Sequence, residues 1–157
     1  GLSGFRIAYI CADDHVMDVL YGAAVNVLGA ACTLSSLGAI TALRDRDYLR
    51  DMHARLLRRR DLAYEVFSQI PGVSLHRSES GILSWLNISR LGTSAEICAW
   101  LKEHANLMVN SGAPYGEGGE GHIRVVSGCF AHDEDARLRF ERIREALTEL
   151  ARQKGLA

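Results

Sequence analysis

Lysine is nearly missing from this chain: of 18 basic residues, only Lys102 and Lys154 are lysines. A GC-rich genome produces that bias, and it carries no chemistry by itself. Excess charge of either sign is missing too. With a net charge of −1 there is no basic field to draw nucleic acid or an acidic membrane to the chain. The four cysteines, Cys11, Cys32, Cys98 and Cys129, lie far apart and include no C-x-x-C pair. Their spacing argues against a zinc cluster or a disulfide framework, and for buried free thiols in a reducing compartment. No signal-peptide pattern opens the chain. The longest weakly polar run, Tyr21 to Leu43, carries Asn26, Thr33, Ser35, Ser36, Thr41 and three glycines. It suits a buried or interface helix better than a membrane span. The expectation is a cytoplasmic protein without nucleic-acid or membrane contact.

What is present is ordinary for a soluble globular chain. Its 157 residues, 48% hydrophobic and 24% charged, suffice for one domain with a real core. The first ten residues, GLSGFRIAYI, read as a loop followed by a β-favouring run that holds one charge, Arg6. From the residues alone this is a buried strand in which Arg6 pairs with a carboxylate, or a strand whose preceding glycines let a ligand approach. Asp13 or Asp14 then caps a helix through Val16–Leu20, with His15 at the surface beside the cap.

From Asn26 to Ile40 the text is rich in small residues, with Leu34, Leu37 and Ile40 at helical spacing. Its hydroxyls either bond to their own helix carbonyls or face a neighbouring segment. Asp45 to Ile70 reads as one long amphipathic helix. Its Arg58-Arg59-Arg60 run, flanked by carboxylates, reads as a solvated face. Pro71-Gly72 ends it.

The remainder reads as α+β. Short strands are expected at Val73–Leu75, Ile82–Ile88, Leu107–Asn110 and His122–Ser127. Thr93 and Glu96 form a capping box ahead of a helix through Ile97, Trp100, Leu101 and His104, where Trp100 and His104 pack or face solvent rather than bind ligand. Residues 111–121 hold five glycines but lack the G-x-x-x-x-G-K-(S/T) signature and precede no helix, so a phosphate-cradling P-loop is rejected. Asp133 to Gln153 is an amphipathic helix with Leu138, Ile143, Leu147 and Leu150 inward.

Three of these stretches carry a family resemblance. GLSGFRIAYI resembles the segment that follows the cofactor lysine in the class I/II aminotransferases, usually G-L-x-G-x-R-x-G-Y, with Ala8 in place of the commoner glycine. Gly81, Trp85, Asn87 and Ile88 are in register with that family's G-x-x-x-W-x-(D/N)-(L/I) strand. Ser111-Gly112, Tyr115-Gly116 and His122-Ile123-Arg124-Val125 resemble its P-G-x-x-F-G loop and (I/L/F)-R-(I/V) strand. The resemblance spans nearly the whole chain.

It implies the α/β fold of pyridoxal-phosphate (PLP) enzymes, of which this chain would be one part. Residues 1–44 would be the end of the large cofactor domain, 45–70 the interdomain helix and 71–157 a small C-terminal α+β domain. It implies that Arg6 binds the cofactor's phosphate and Arg124 the substrate's α-carboxylate. The Schiff-base lysine is expected just upstream of Gly1, and neither Lys102, in a capped helix, nor Lys154, in the tail, replaces it. No residue of this chain is then itself catalytic, and no metal is implied.

Expected partners are an amino acid and a 2-oxo acid, a second copy in a homodimer, and the missing N-terminal half, in cis or as a separate chain. Transamination is the expected reaction. The Thr33-Leu34-Ser35-Ser36-Leu37-Gly38 text also resembles the 1-aminocyclopropane-1-carboxylate synthase-like branch of lyases and cyclising enzymes. A reading of another class is a non-catalytic interaction module that has lost its cofactor half.

Overall fold

A computed structural model describes residues 2–156 and shows a mixed helix–strand chain. Its contacts divide it into two compact units, one up to Met52 and one from His53 onward. The boundary falls inside a long helix.

The first unit is helical. After a 3-10 turn, Leu2–Phe5, come α1 (Asp14–Val27), α2 (Thr33–Arg44) and the start of α3 (Arg46–Phe67). The strand expected over Phe5–Ile10 does not form. Residues 7–10 are irregular, and Tyr9 is 75% exposed. A strand needs a neighbour for its backbone groups, and among the described residues the unit contains none. The helix expected across Asn26–Ile40 is broken in two. Gly29 takes φ +68°, a left-handed conformation that separates α1 from α2. Within α2 the hydroxyls of Ser36 and Thr41 donate to the Cys32 and Leu37 carbonyls, each at 3.0 Å. Ser35 is the one buried residue of α2, and its hydroxyl donates to the Phe5 carbonyl at 2.8 Å, tying the first turn to the helix.

The second unit is a four-stranded antiparallel sheet with helices on one face. The strands are β1 (Ser74–Leu75), β2 (Leu83–Asn87), β3 (Asn110–Ser111) and β4 (His122–Val126), in the order β1-β2-β4-β3. Helices α4 (Ser94–Ala105) and α5 (Asp133–Gln153) complete it. Alternation along β2 and β4 sends Leu86, Ile123 and Val125 into a core with Phe67 of α3, Leu101 of α4 and Phe140 of α5. Phe67 and Phe130 meet Phe140 edge-on, at 5.2 and 5.9 Å. The capping box forms as expected: Glu96 Oε2 accepts from the Thr93 amide at 2.8 Å, and Thr93 Oγ1 from the Glu96 amide at 3.3 Å.

The Arg58–Arg60 run is a solvated face only at Arg58; Arg60 is half-buried and Arg59 is turned inward. Arg59 is 2% exposed and donates to Asp133 Oδ1 at 2.9 Å and to the carbonyls of Gly128 and Ala131. It lies on the same helical stripe as Ala63 and Val66, so its charge is turned inward and must be paired there. Leu138 is 56% exposed, because the inward stripe of α5 runs through Ala136, Phe140, Ile143 and Leu147 and leaves it on the opposite side. The third strand forms at Asn110–Ser111 rather than Leu107–Asn110, with Met108 fully outside. The cysteines are unpaired, but Cys11, Cys32 and Cys129 are exposed and Cys98 is half-buried. No helix among the described residues is long and apolar enough to cross a membrane.

Candidate functional site

Strand pairing builds the surroundings of Arg124. Period-2 alternation puts His122 and Arg124 on the sheet face away from the helices, beside Trp85 and Asn87 of β2. The register sets Trp85 directly opposite Arg124 on one side and Asn110 opposite it on the other. Arg124 Nη2 donates to Asn110 Oδ1 at 3.1 Å. The guanidinium carbon lies 5.1 Å from the centre of the Tyr115 ring, within cation–π range. Tyr115 meets Trp85 edge-on at 5.7 Å, and His122 stacks on Trp85 at 5.4 Å. Among the described residues no carboxylate pairs with Arg124, and its Nε is buried without an acceptor. This is an arginine framed by aromatic rings with hydrogen-bonding capacity left over.

The glycine-rich loop is what brings Tyr115 there. It folds back on itself: the Gly112 amide donates to the His122 carbonyl at 2.8 Å, and the Tyr115 amide to the Gly112 carbonyl at 2.8 Å. A Cβ on Gly112 would stand 2.7 Å from the His122 carbonyl oxygen and closer still to that of Gly119, so only glycine fits. Past the loop, Glu120 Oε1 accepts from the Ser94 amide at the start of α4, at 2.8 Å. That backbone bond holds its carboxyl below the usual range. The Ser94 hydroxyl in turn accepts from the His122 amide, so α4 fixes the beginning of β4. A cavity of about 270 Å³ adjoins Arg124, lined by Asn110 and by the apolar Val109, Phe130, Phe140 and Ile143 among others.

Arg6 belongs to the first unit. It follows the opening 3-10 turn with φ +50°, is exposed, and spends one donor, Nη1, on the Ser3 carbonyl at 3.0 Å. The carboxylate partner that a buried strand would have required is missing among the described residues. A guanidinium with its other N–H groups unspent among the described residues is a donor set suited to a phosphate dianion. The residues present therefore fit the phosphate end of PLP.

Sequence reasoning singled out Arg6 and Arg124 but gave no part to Asn110, or to the rings of Trp85, Tyr115 and His122 around Arg124. Alternation places His122 and Arg124 on one face, and this much was available in the sequence. Asn110 was not, since its partner depends on the β3–β4 register.

Similarity to known proteins follows the same residues. The class I and II aminotransferase family model matches residues 1–147. An aspartate aminotransferase of Musicola paradisiaca is 28% identical over 74% of this chain and 30% of its own length. One of Pyrococcus horikoshii is 25% identical over 79% and 33%. The crystal structure of an aromatic aminotransferase from Pyrococcus horikoshii superposes with a TM-score of 0.70 at 19% identity, covering 98% of this chain and 40% of that one. The fold is thus shared, and the chain spans about a third of the length of the curated relatives it matches. With the match running from the turn that bears Arg6 past the strand that bears Arg124, the chain belongs to the class I and II aminotransferases.

Proposed function

We propose that this chain is the carboxylate- and phosphate-binding part of a PLP-dependent aminotransferase acting on an amino acid and a 2-oxo acid. The observation that carries the reading is Arg124: a guanidinium on a strand, framed by Tyr115 and Trp85, with no carboxylate of its own among the described residues. A planar fork of donors matches a carboxylate, and the aromatic rings exclude water from one side of the pair. Arg124 would bind and orient the α-carboxylate, and Arg6 would hold the cofactor phosphate. When bound, the cofactor supplies an electron sink for charge at the substrate's α-carbon. The cofactor lysine would lie upstream of Gly1. Residues 1–44 would close the large domain, 45–70 link the domains and 71–157 form the small one. The exposed apolar side chains of α1 and α2, such as Val19, Tyr21 and Leu37, support their burial in the complete enzyme, against the rest of the large domain and a second subunit.

The test uses the complete gene product and separates the two arginines. Arg124→Ala should lower kcat/KM by about 30-fold or more, as loss of a buried charged contact to ligand does, with the cofactor's visible absorption kept. Arg6→Ala should do the reverse, weakening PLP retention in a spectral titration. Equal activity of the Arg124→Ala protein and the parent would overturn the reading.

A further inference from the structure

The contact that aims Arg124 comes from a neutral side chain. Asn110 stands on the edge strand β3 directly opposite Arg124, and its Oδ1 accepts from Nη2 at 3.1 Å. Only the oxygen of the amide can face an N–H donor, so the arginine fixes which way the amide lies. Nδ2 is then left beside the guanidinium, and among the described residues it donates to no protein acceptor. Meanwhile the Tyr115 ring covers one face of the guanidinium, and Nε remains unfilled. The group is pinned at one corner and stacked on one face, yet its positive charge is not compensated.

We propose that Asn110 is a positioning residue for Arg124, holding its guanidinium in the direction of an incoming carboxylate while leaving the whole charge for that ligand. The proposal rests on the reading of Arg124 as the carboxylate-binding arginine. Its physical content lies in the choice of amide over acid. An aspartate at 110 has the same shape and would hold the arginine as firmly, but it would form an ion pair that a ligand carboxylate must displace. An alanine would leave the charge free and its direction unset. A role confined to packing or to the β3–β4 edge predicts the opposite ranking, since aspartate keeps the shape of asparagine and alanine does not.

The experiment measures binding of maleate and of hydrocinnamate, carboxylates that carry no amine, to the complete PLP-loaded protein. Calorimetry reads the affinity, and Trp85, paired with Arg124, offers a fluorescence signal independent of turnover. Asn110→Ala is expected to bind about tenfold more weakly, the effect of one lost hydrogen bond to a charged group. Asn110→Asp is expected to bind about 30-fold more weakly or worse. Asn110 is exposed, so neither change opens a cavity, and thermal midpoints should match the parent. The proposal is overturned if Asn110→Asp binds as tightly as Asn110→Ala, or if Asn110→Ala stays within about twofold of the parent. Arg124→Ala separates the two levels. If it binds like the parent, the carboxylate reading fails and the proposal with it. If it loses binding while both Asn110 variants keep it, the proposal alone fails.

Discussion

The two units use similar residues to opposite effect. From His53 onward, aliphatic and aromatic side chains at helical and strand spacing converge on one core, with Phe67, Leu86, Leu101, Ile123, Phe140 and Leu147 fully buried. Up to Met52, α1 and α2, more apolar on average than α3 or α5, bury only Ser35, and leave Val19, Tyr21, Leu34 and Leu37 between 57% and 73% exposed. Helix propensity is satisfied in both. The difference is that the second unit contains its own partners, a sheet and three helices, for every apolar stripe, while the first does not. Local pattern makes a helix, and only a covering surface makes a core.

The largest test of that contrast is Phe140→Ala. The ring is fully buried between Phe67 and Phe130, so its removal should cost about 3–5 kcal/mol in chemical unfolding of the complete protein. A cost below about 1 kcal/mol would mean that the second unit is not the close-packed body its contacts describe.

Acid should act on the same unit. Asp133 is held below the usual carboxylate range first by its hydrogen bond from Arg59, Asp61 by Arg77 and Arg60, and Glu96 by the Thr93 amide. Because the folded pKa is depressed in each case, the stabilisation is fully present above the unfolded values of about 3.9–4.3. It is lost as pH falls through the folded ones. Stability should therefore drop below about pH 4. Asp133→Asn should cost about 1–3 kcal/mol at neutral pH by under-pairing a buried guanidinium, and should flatten the acid slope. Thermal midpoints of both proteins between pH 3 and 7 check this; an unchanged slope would remove Asp133 from the account.

How much of this was legible in the sequence follows the same divide. In the second unit, α5, the capping box, β2 and β4 were all readable, because periodicity there reports burial that occurs within the unit. Arg124 was found through the motif around it, and alternation put His122 on its face. Asn110 was missed, since a two-residue edge strand has no periodicity to betray its register. Arg59 was misread because three consecutive arginines look alike in a charge count, and only its position on the stripe with Ala63 and Val66 distinguishes it. In the first unit the β-favouring text of Phe5–Ile10 promised a strand, but β preference is expressed only where a neighbouring strand accepts its hydrogen bonds. The glycine at 29 was counted among small residues when its left-handed conformation makes it a break.

The last substitution bears most directly on the contrast. Leu37 is 57% exposed on α2 within this chain, and with nothing covering it Leu37→Ala would change stability by no more than about 0.5 kcal/mol. Under the covering surface proposed above for the complete enzyme, the same substitution is expected to cost about 2 kcal/mol or more. Measured in the complete gene product beside Phe140→Ala, a small value would keep the two units different in kind. A value above about 2 kcal/mol would show that the apolar face of α2 is buried there and that the first unit acquires its core from outside itself. The contrast would then be one of where the partners reside, with both regions obeying the same packing rule.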